Sequence, residues 1–220
     1  MPGSNGTYYW DTVHTQRPFT IDFAFDDLRE EDIRRLKQVF SFKGVQELIF
    51  DEYAYKKYYV KCSAPPQIKF IPFSDLGDVL NYKGEGSVNL IAYYPYAESV
   101  RADKIESKTS DTISNIGDLE MPIKIYYPIS TSSVNLTLND FNKETKVLNL
   151  SGISNLGNDS YFCIDMKTHL VEGVDNNLNK TGHLYNRFIT SGDFFNIPIG
   201  INTISSTPAW HRVTFNYLYY

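Results

Sequence analysis

The chain has 220 residues, enough for one large domain or two of about 100 residues each. With 42% hydrophobic and 21% charged residues it has the balance of a globular protein with a core, and its net charge of −5 argues against nucleic acid, whose phosphates need a basic face. No apolar run approaches the roughly 18 residues of a membrane span, and the opening Met1–Trp10 is polar and reads as no signal peptide.

Aromatics reach 15%, with 17 Tyr and 14 Phe. Such residues suit pleated, half-buried surfaces, so the composition predicts a mainly β protein. Residues 19–25, FTIDFAF, alternate Phe19, Ile21, Phe23 and Phe25 against Thr20, Asp22 and Ala24, the pattern of a half-buried strand. Then Asp27 and Glu30 form a capping-box pair, and Ile33, Leu36, Val39 and Phe40 recur at helical spacing. The expectation is an amphipathic helix over 28–40, lying on a sheet and ended by Lys43-Gly44. QELIFDE and KKYYVKCSA follow as strands around a short YAY loop. PPQIKFIPF opens on two prolines and reads as an edge strand or extended connector. DVLNYKGEGS, with two glycines, reads as a turn, and GSVNLIAYYPYA as a longer strand ended by Pro95. One helix among several strands predicts an α+β domain over 1–97.

Residues 98–117 are polar, rich in Ser, Lys and Asp, and read as a linker. Over 118–220 nine short strand-like segments are punctuated by turn signals such as Asn139-Asp140, Ser151-Gly152 and Thr181-Gly182, which predicts an all-β sandwich or jelly roll. Within it Tyr185–Ile204 concentrates Phe188, Phe194, Phe195, Ile197, Ile199, Ile201 and Ile204. Its period predicts a hairpin, DFFNIPIG and INTI, with the three isoleucines 197, 199 and 201 on one face of the core. The closing HRVTFNYLYY alternates Val213, Phe215, Tyr217 and Tyr219 against Arg212, Thr214 and Asn216.

Chemistry-bearing patterns are few. His14, His169, His183 and His211 do not pair at metal-ligand spacing, and no metal or cofactor is expected. There is no nucleophile elbow, phosphate-cradling loop or dinucleotide fingerprint. Cys62 and Cys163 read as small packing side chains in a reducing compartment. DNNLNK is polar but lacks the carboxylate spacing of a calcium loop. No catalytic residues are expected, so the reading is of a protein that is not an enzyme. Sugar binding is the alternative chemistry, since β-sandwiches bind glycans through exposed aromatics. Trp210 and the tyrosines are the candidates for that stacking, against a core position for Trp210 beside Pro208.

The order of segments resembles the distal tail proteins of long-tailed phages and prophages. The residues that carry it are PGSNGTYYW (Pro2–Trp10), RPFTIDFAFDDL (Arg17–Leu28), the helix REEDIRRLKQVF, ELIFDEYAYKKYYVK (Glu47–Lys61) and GEGSVNLIAYYPYA (Gly84–Ala97). ISNIGDLEMPIKIYY and KTGHLYNRFITSGDFFNIPIGINTI continue the likeness in the second region. The resemblance implies an N-terminal belt domain that packs as a hexameric ring under the tail tube, followed by a galectin-like β-sandwich. It implies a structural hub in the virion, made in the host cytoplasm, with tail tube protein, tail-associated lysin or fibre hub, and receptor-binding proteins as partners. Two departures stand out. In the family several dozen residues precede the PG-x-NG turn that here begins at Pro2, so the chain reads as shortened. The long arm insertions that grip receptor-binding proteins in some members have no counterpart. The competing expectation is a carbohydrate-binding module for host cell-wall glycans.

Overall fold

The computed structural model describes residues 16–76, 79–142 and 144–220; the Pro2–Trp10 segment and His14 lie outside them. The chain divides into two compact units, one of the residues up to Phe50 with Lys57–Ala97, the other of Asp51–Lys56 with Glu98–Tyr220.

The first unit contains β1 (Arg17–Arg29), α1 (Glu30–Phe40), β2 (Gln46–Leu48), β3 (Lys56–Cys62), β4 (Gln67–Leu76) and β5 (Val79–Ala92). β1 lies antiparallel on β5 from Arg17↔Ala92 to Arg29↔Asn81, β3 and β4 flank the other side of β5, and β2 pairs with β3. The alternation read from FTIDFAF is the one observed: Phe19, Ile21, Phe23 and Phe25 are half-buried, Thr20, Asp22 and Ala24 exposed. The buried face carries α1, where Phe40 stacks on Phe23 at 5.1 Å between ring centroids.

The helix starts later than Asp27 would have it. β1 bulges between Phe25 and Leu28, and Asp27 takes a positive φ of 61°, a conformation short polar side chains tolerate. Its carboxylate accepts a hydrogen bond from Asn81 Nδ2 at 2.7 Å, so it secures the bulge rather than the helix. The cap falls instead on Arg29, whose backbone N–H donates to Asp32 Oδ2.

From Val79 on, the expected turn DVLNYKGEGS is the first part of β5. Gly84 and Gly86 pair with Phe25 and Phe23 of β1, and a β-carbon at either position would run into those rings and into the β4 backbone. The glycines are there because neighbouring aromatics fill the space a side chain would need.

Short β6 (Ala97–Ser99) is followed in the second unit by β7 (Asp103–Asn115), β8 (Ile123–Pro128), β9 (Ser133–Asn139), β10 (Thr145–Ser151), β11 (Tyr161–Asp165) and β12 (Leu170–Val174). Then come β13 (Lys180–Leu184), β14 (Ile189–Gly192), β15 (Gly200–Phe215) and β16 (Leu218–Tyr219). The supposed linker over 98–117 thus holds a 13-residue strand. It escaped the composition because its side chains are nearly all exposed, apart from Ile105, Asp111, Ile113 and Asn115, while its backbone pairs with β15 from Asp103↔Phe215 to Asn115↔Gly200. Charged and polar side chains are what an exposed edge strand carries to resist further pairing.

The two segments expected around Pro208 are one strand. β15 pairs with β9 through Thr203–Thr207 and with β8 through Arg212–Phe215, with a cis Thr207–Pro208 peptide between. Strands β13-β12-β11-β8 thereby form one layer and β9-β10-β14 the other, joined by β15 and β7. Between the layers lies a continuous core that includes Ile125, Ile164 and Val171 from one side and Leu136, Leu148 and Leu150 from the other.

The Tyr185–Ile204 stretch forms no hairpin. Phe194–Ile199 belongs to no strand, bends at Ile199 and meets the sheet at the bridge Met121↔Ile197. Phe195 and Ile197 are buried, but Ile199 and Ile201 are 52% and 65% exposed, so the three isoleucines do not share a face. The final alternation also breaks. β15 ends at Phe215, where Asn216 Nδ2 donates to Ser99 O, and Leu218 rather than Tyr217 or Tyr219 is buried.

Candidate functional site

Trp210 is fully buried in the sandwich core, and its indole N–H donates to Glu106 O at 3.1 Å. A sugar needs an open ring face, and Trp210 offers none. Its residue type pointed to stacking, but it sits where β15 passes between the layers, a space that takes the largest side chain available. Nearby, Tyr127 Oη and Ser206 Oγ share a 2.6 Å hydrogen bond, and burial drives the Tyr127 phenol upward, well above its ordinary range.

Cys163 is not built as a nucleophile. Both cysteines are free; Cys62 is half-buried, and burial pushes the Cys163 thiol up to about 12. A reactive cysteine needs the opposite shift. His169 stacks on Phe194 and His211 on Tyr161. Among the described residues no three His, Cys, Asp or Glu side chains gather as metal ligands. In DNNLNK, Asp175 Oδ1 accepts the backbone N–H groups of Asn177 and Asn179, so the loop closes on itself.

One polar cluster is invisible in the sequence. The Asp159 carboxylate is fully buried and accepts hydrogen bonds from Tyr185 Oη and from His183 Nδ1 at 3.0 Å. Gly173 leaves room for it, since a β-carbon there would meet Asp159 and Thr181. Burial raises the Asp159 pKa, but hydrogen bonds from Thr181, Tyr185 and His183 outweigh it and hold the carboxyl below its ordinary value. Tyr185 is pushed up to about 12 by burial and by Asp159. The group ties the loop before β11 to β13, with Thr181, His183 and Tyr185 all turned toward the one buried carboxylate, the arrangement of a structural staple. Asp159 lies 24 positions before His183 and 26 before Tyr185, so no spacing rule finds the cluster.

The first unit presents surface of another kind. Val39, Val45, Ile49, Ile71 and Tyr93 are all more than 40% exposed. Beside Ile71 an open trough of about 680 Å³ is lined by Phe25, Phe70, Gly84 and the flanking Lys69 and Lys83. Of the five exposed residues only Ile71 lies in a strand; Val39 is on α1, Val45 and Ile49 flank β2, and Tyr93 follows β5, so apolar side chains are left exposed on several elements of this unit.

Residues 1–92 match the family described as phage tail protein RIFT-related domain. Among solved structures the chain is similar to SPP1 Dit, described as a paradigm of the hub adsorption apparatus in phages that infect Gram-positive bacteria. The TM-score is 0.65 over 93% of this chain and 79% of that one, at 14% identity, a likeness of fold. No curated protein matches. The two findings bear out the resemblance to siphovirus distal tail proteins and the mainly β fold expected with it.

Proposed function

We propose that this phage tail protein forms a ring at the tip of a long-tailed phage or prophage and joins the tail tube to the apparatus that engages the host. The observation that carries the reading is the apolar surface left on the first unit, the region that matches the tail-protein family. A ring arises when one face of a subunit meets a different face of the next and the rotation closes. Exposed Val39, Val45, Ile49 and Ile71 supply apolar area for such contacts, and the covering helix and sheet give a rigid support. The role is structural, located in the virion, with the tail tube protein on one side and the tail lysin or fibre hub on the other. A ring of six copies is the assembly that the distal-tail resemblance implies.

Multi-angle light scattering across a concentration series, with negative-stain electron microscopy, tests it. Closed rings of uniform size are expected. A strict monomer at the highest concentration, with no rings on the grid, rules the assembly out.

A further inference from the structure

We propose that the outer face of one layer of the sandwich binds a chain of neutral sugars, an oligosaccharide or polysaccharide without charged groups. This goes beyond the tail-hub reading and does not depend on it.

The face is built by strand register. β15 lies between β7 and β9, and β10 follows β9. Ile113, Ile204, Leu138 and Leu148 are buried in the core, so the residues alternating with them face outward. Thr112, Thr203, Asn139 and Thr145 pair across the four strands as one outward row. Ser110, Ser205, Thr137 and Val147 form the next. Thr207, Asn135 and Asn149 begin a third, which Ser191 of β14 completes. All of these side chains are exposed or half-buried. None is charged, in a chain with 21% charged residues, whereas a protein surface ordinarily carries about a quarter to a third.

The polar groups are held and still have capacity. Thr145 Oγ1 donates to Asn139 Oδ1 at 2.9 Å, and Thr137 Oγ1 to Asn135 Oδ1 at 3.3 Å. Those bonds orient both asparagines, while their Nδ2 donors and the hydroxyls of Thr112, Thr203 and Ser205 bond no other described residue. Ser, Thr and Asn have one or two rotatable bonds, here on a rigid sheet, so ordering them against a ligand costs little entropy. One end of the face is apolar. Ile201, two residues before Thr203 on the same side of β15, is 65% exposed, and Phe141, in the turn between β9 and β10, is 69% exposed.

The chemistry then selects the ligand. With no cation on the face, a phosphate or uronate would lose hydration and gain no counter-charge. A protein partner suits it poorly, since interface cores favour Tyr, Trp, Met and Arg and are depleted in Ser. Sugar hydroxyls donate and accept, as do those of Ser and Thr, and they also accept from the asparagine amides. The C–H face of a pyranose suits Ile201 and Phe141. Four strands about 4.8 Å apart span about 14 Å, more than one ring, so the face fits a chain.

The test is calorimetric titration of the full chain with neutral hexose and N-acetylglucosamine oligomers, from disaccharide to hexasaccharide, and with an oligogalacturonate as comparator, at low and high salt. Binding of a neutral oligomer is expected, insensitive to salt and about tenfold tighter for the hexasaccharide than for the disaccharide as more of a row is covered. Thr203→Val keeps the side-chain shape and removes the hydroxyl; it should weaken binding about twofold to tenfold. Phe141→Ala lies outside the strands, should weaken it by a similar factor, and guards against a folding effect in the first variant. Leu184→Ala, on the distant β13 and 53% exposed in the wild type, should change nothing. Absence of heat with every neutral oligomer, no gain with length, preference for the oligogalacturonate, unchanged affinity in both face variants, or an equal loss in Leu184→Ala would overturn the proposal. Altered self-association in Thr203→Lys, with no sugar bound by the wild type, would assign the face to a protein contact instead. Ring formation is scored separately, so either reading can fail alone.

Discussion

In the second unit the strands enclose a core in which Trp210, Tyr127, Phe162 and Tyr185 are all buried, and β-layers cover it from both sides. In the first unit the buried apolar side chains among the described residues are Ile33 on the helix and Tyr58, Val60, Val88, Leu90, Ala92 and Ala97 in or beside the strands. Its aromatic row on β1 is only half-buried, and larger apolar groups such as Val39 and Ile71 face outward. The contrast teaches that one unit completes its own core while the other leaves apolar side chains at its surface. Under the proposed ring, it is surface of the second kind that neighbouring copies would cover.

Five substitutions break or sharpen this contrast. The largest effect is expected from Trp210→Ala, which should cost about 3–5 kcal/mol by opening a cavity between the layers. Denaturant unfolding followed by near-ultraviolet circular dichroism reads it; a midpoint near wild type would mean that the second unit does not rest on this core. Tyr185→Phe removes a hydrogen bond to a buried charge and should cost about 1.5–3 kcal/mol in the same unit. The associated pH effect has a definite sign. Asp159 is held below its ordinary value, so its stabilisation is complete above about pH 4 and is lost as pH falls further through the lowered value. Asp159→Asn should therefore flatten the acid limb of the stability curve, measured by thermal melts from neutral to strongly acid solution.

In the first unit Gly84→Ala sets a β-carbon against Phe25 and the Lys69 carbonyl and should cost about 1–3 kcal/mol. Faster amide hydrogen exchange along β1 and β5, with the sandwich unchanged, is the signature. The smallest effect on stability, within about 0.5 kcal/mol, is expected for Val39→Lys on the exposed side of α1. Its effect on assembly should be the opposite in rank. Loss of rings by light scattering at unchanged melting temperature would place that patch in the contact, and intact rings would remove it.

Parts of this design were legible in the sequence and parts were not, for identifiable reasons. The β1 alternation and the helix were readable because one face of each is apolar and the period is carried by side chains. β7 was hidden because its pairing is made by the backbone and its side chains face water. Gly84 and Gly86 looked like turn residues because the reason for them, the rings of Phe23 and Phe25, lies about sixty residues away on another strand. Pro208 divided one strand into two in the sequence because proline ordinarily ends a strand, and here it falls where β15 changes partner. Trp210 was ambiguous by nature: a large aromatic reads equally as platform or plug until burial is known. The Asp159 cluster and the uncharged outer face had no local signature, since each is assembled by strand register alone.

The long β15 has a consequence for the order in which the protein can be made. Its partners β7, β8 and β9 leave the ribosome some sixty to a hundred residues earlier, yet neither layer is tied to the other until residues 200–215 arrive. Until then the nascent sandwich is two partial sheets with unpaired edges and an uncovered apolar interior, the form most prone to aggregate. Closure of this unit is thus a late event in synthesis, triggered by one strand, and a chain cut short before Gly200 should fail as a whole unit rather than lose a single element.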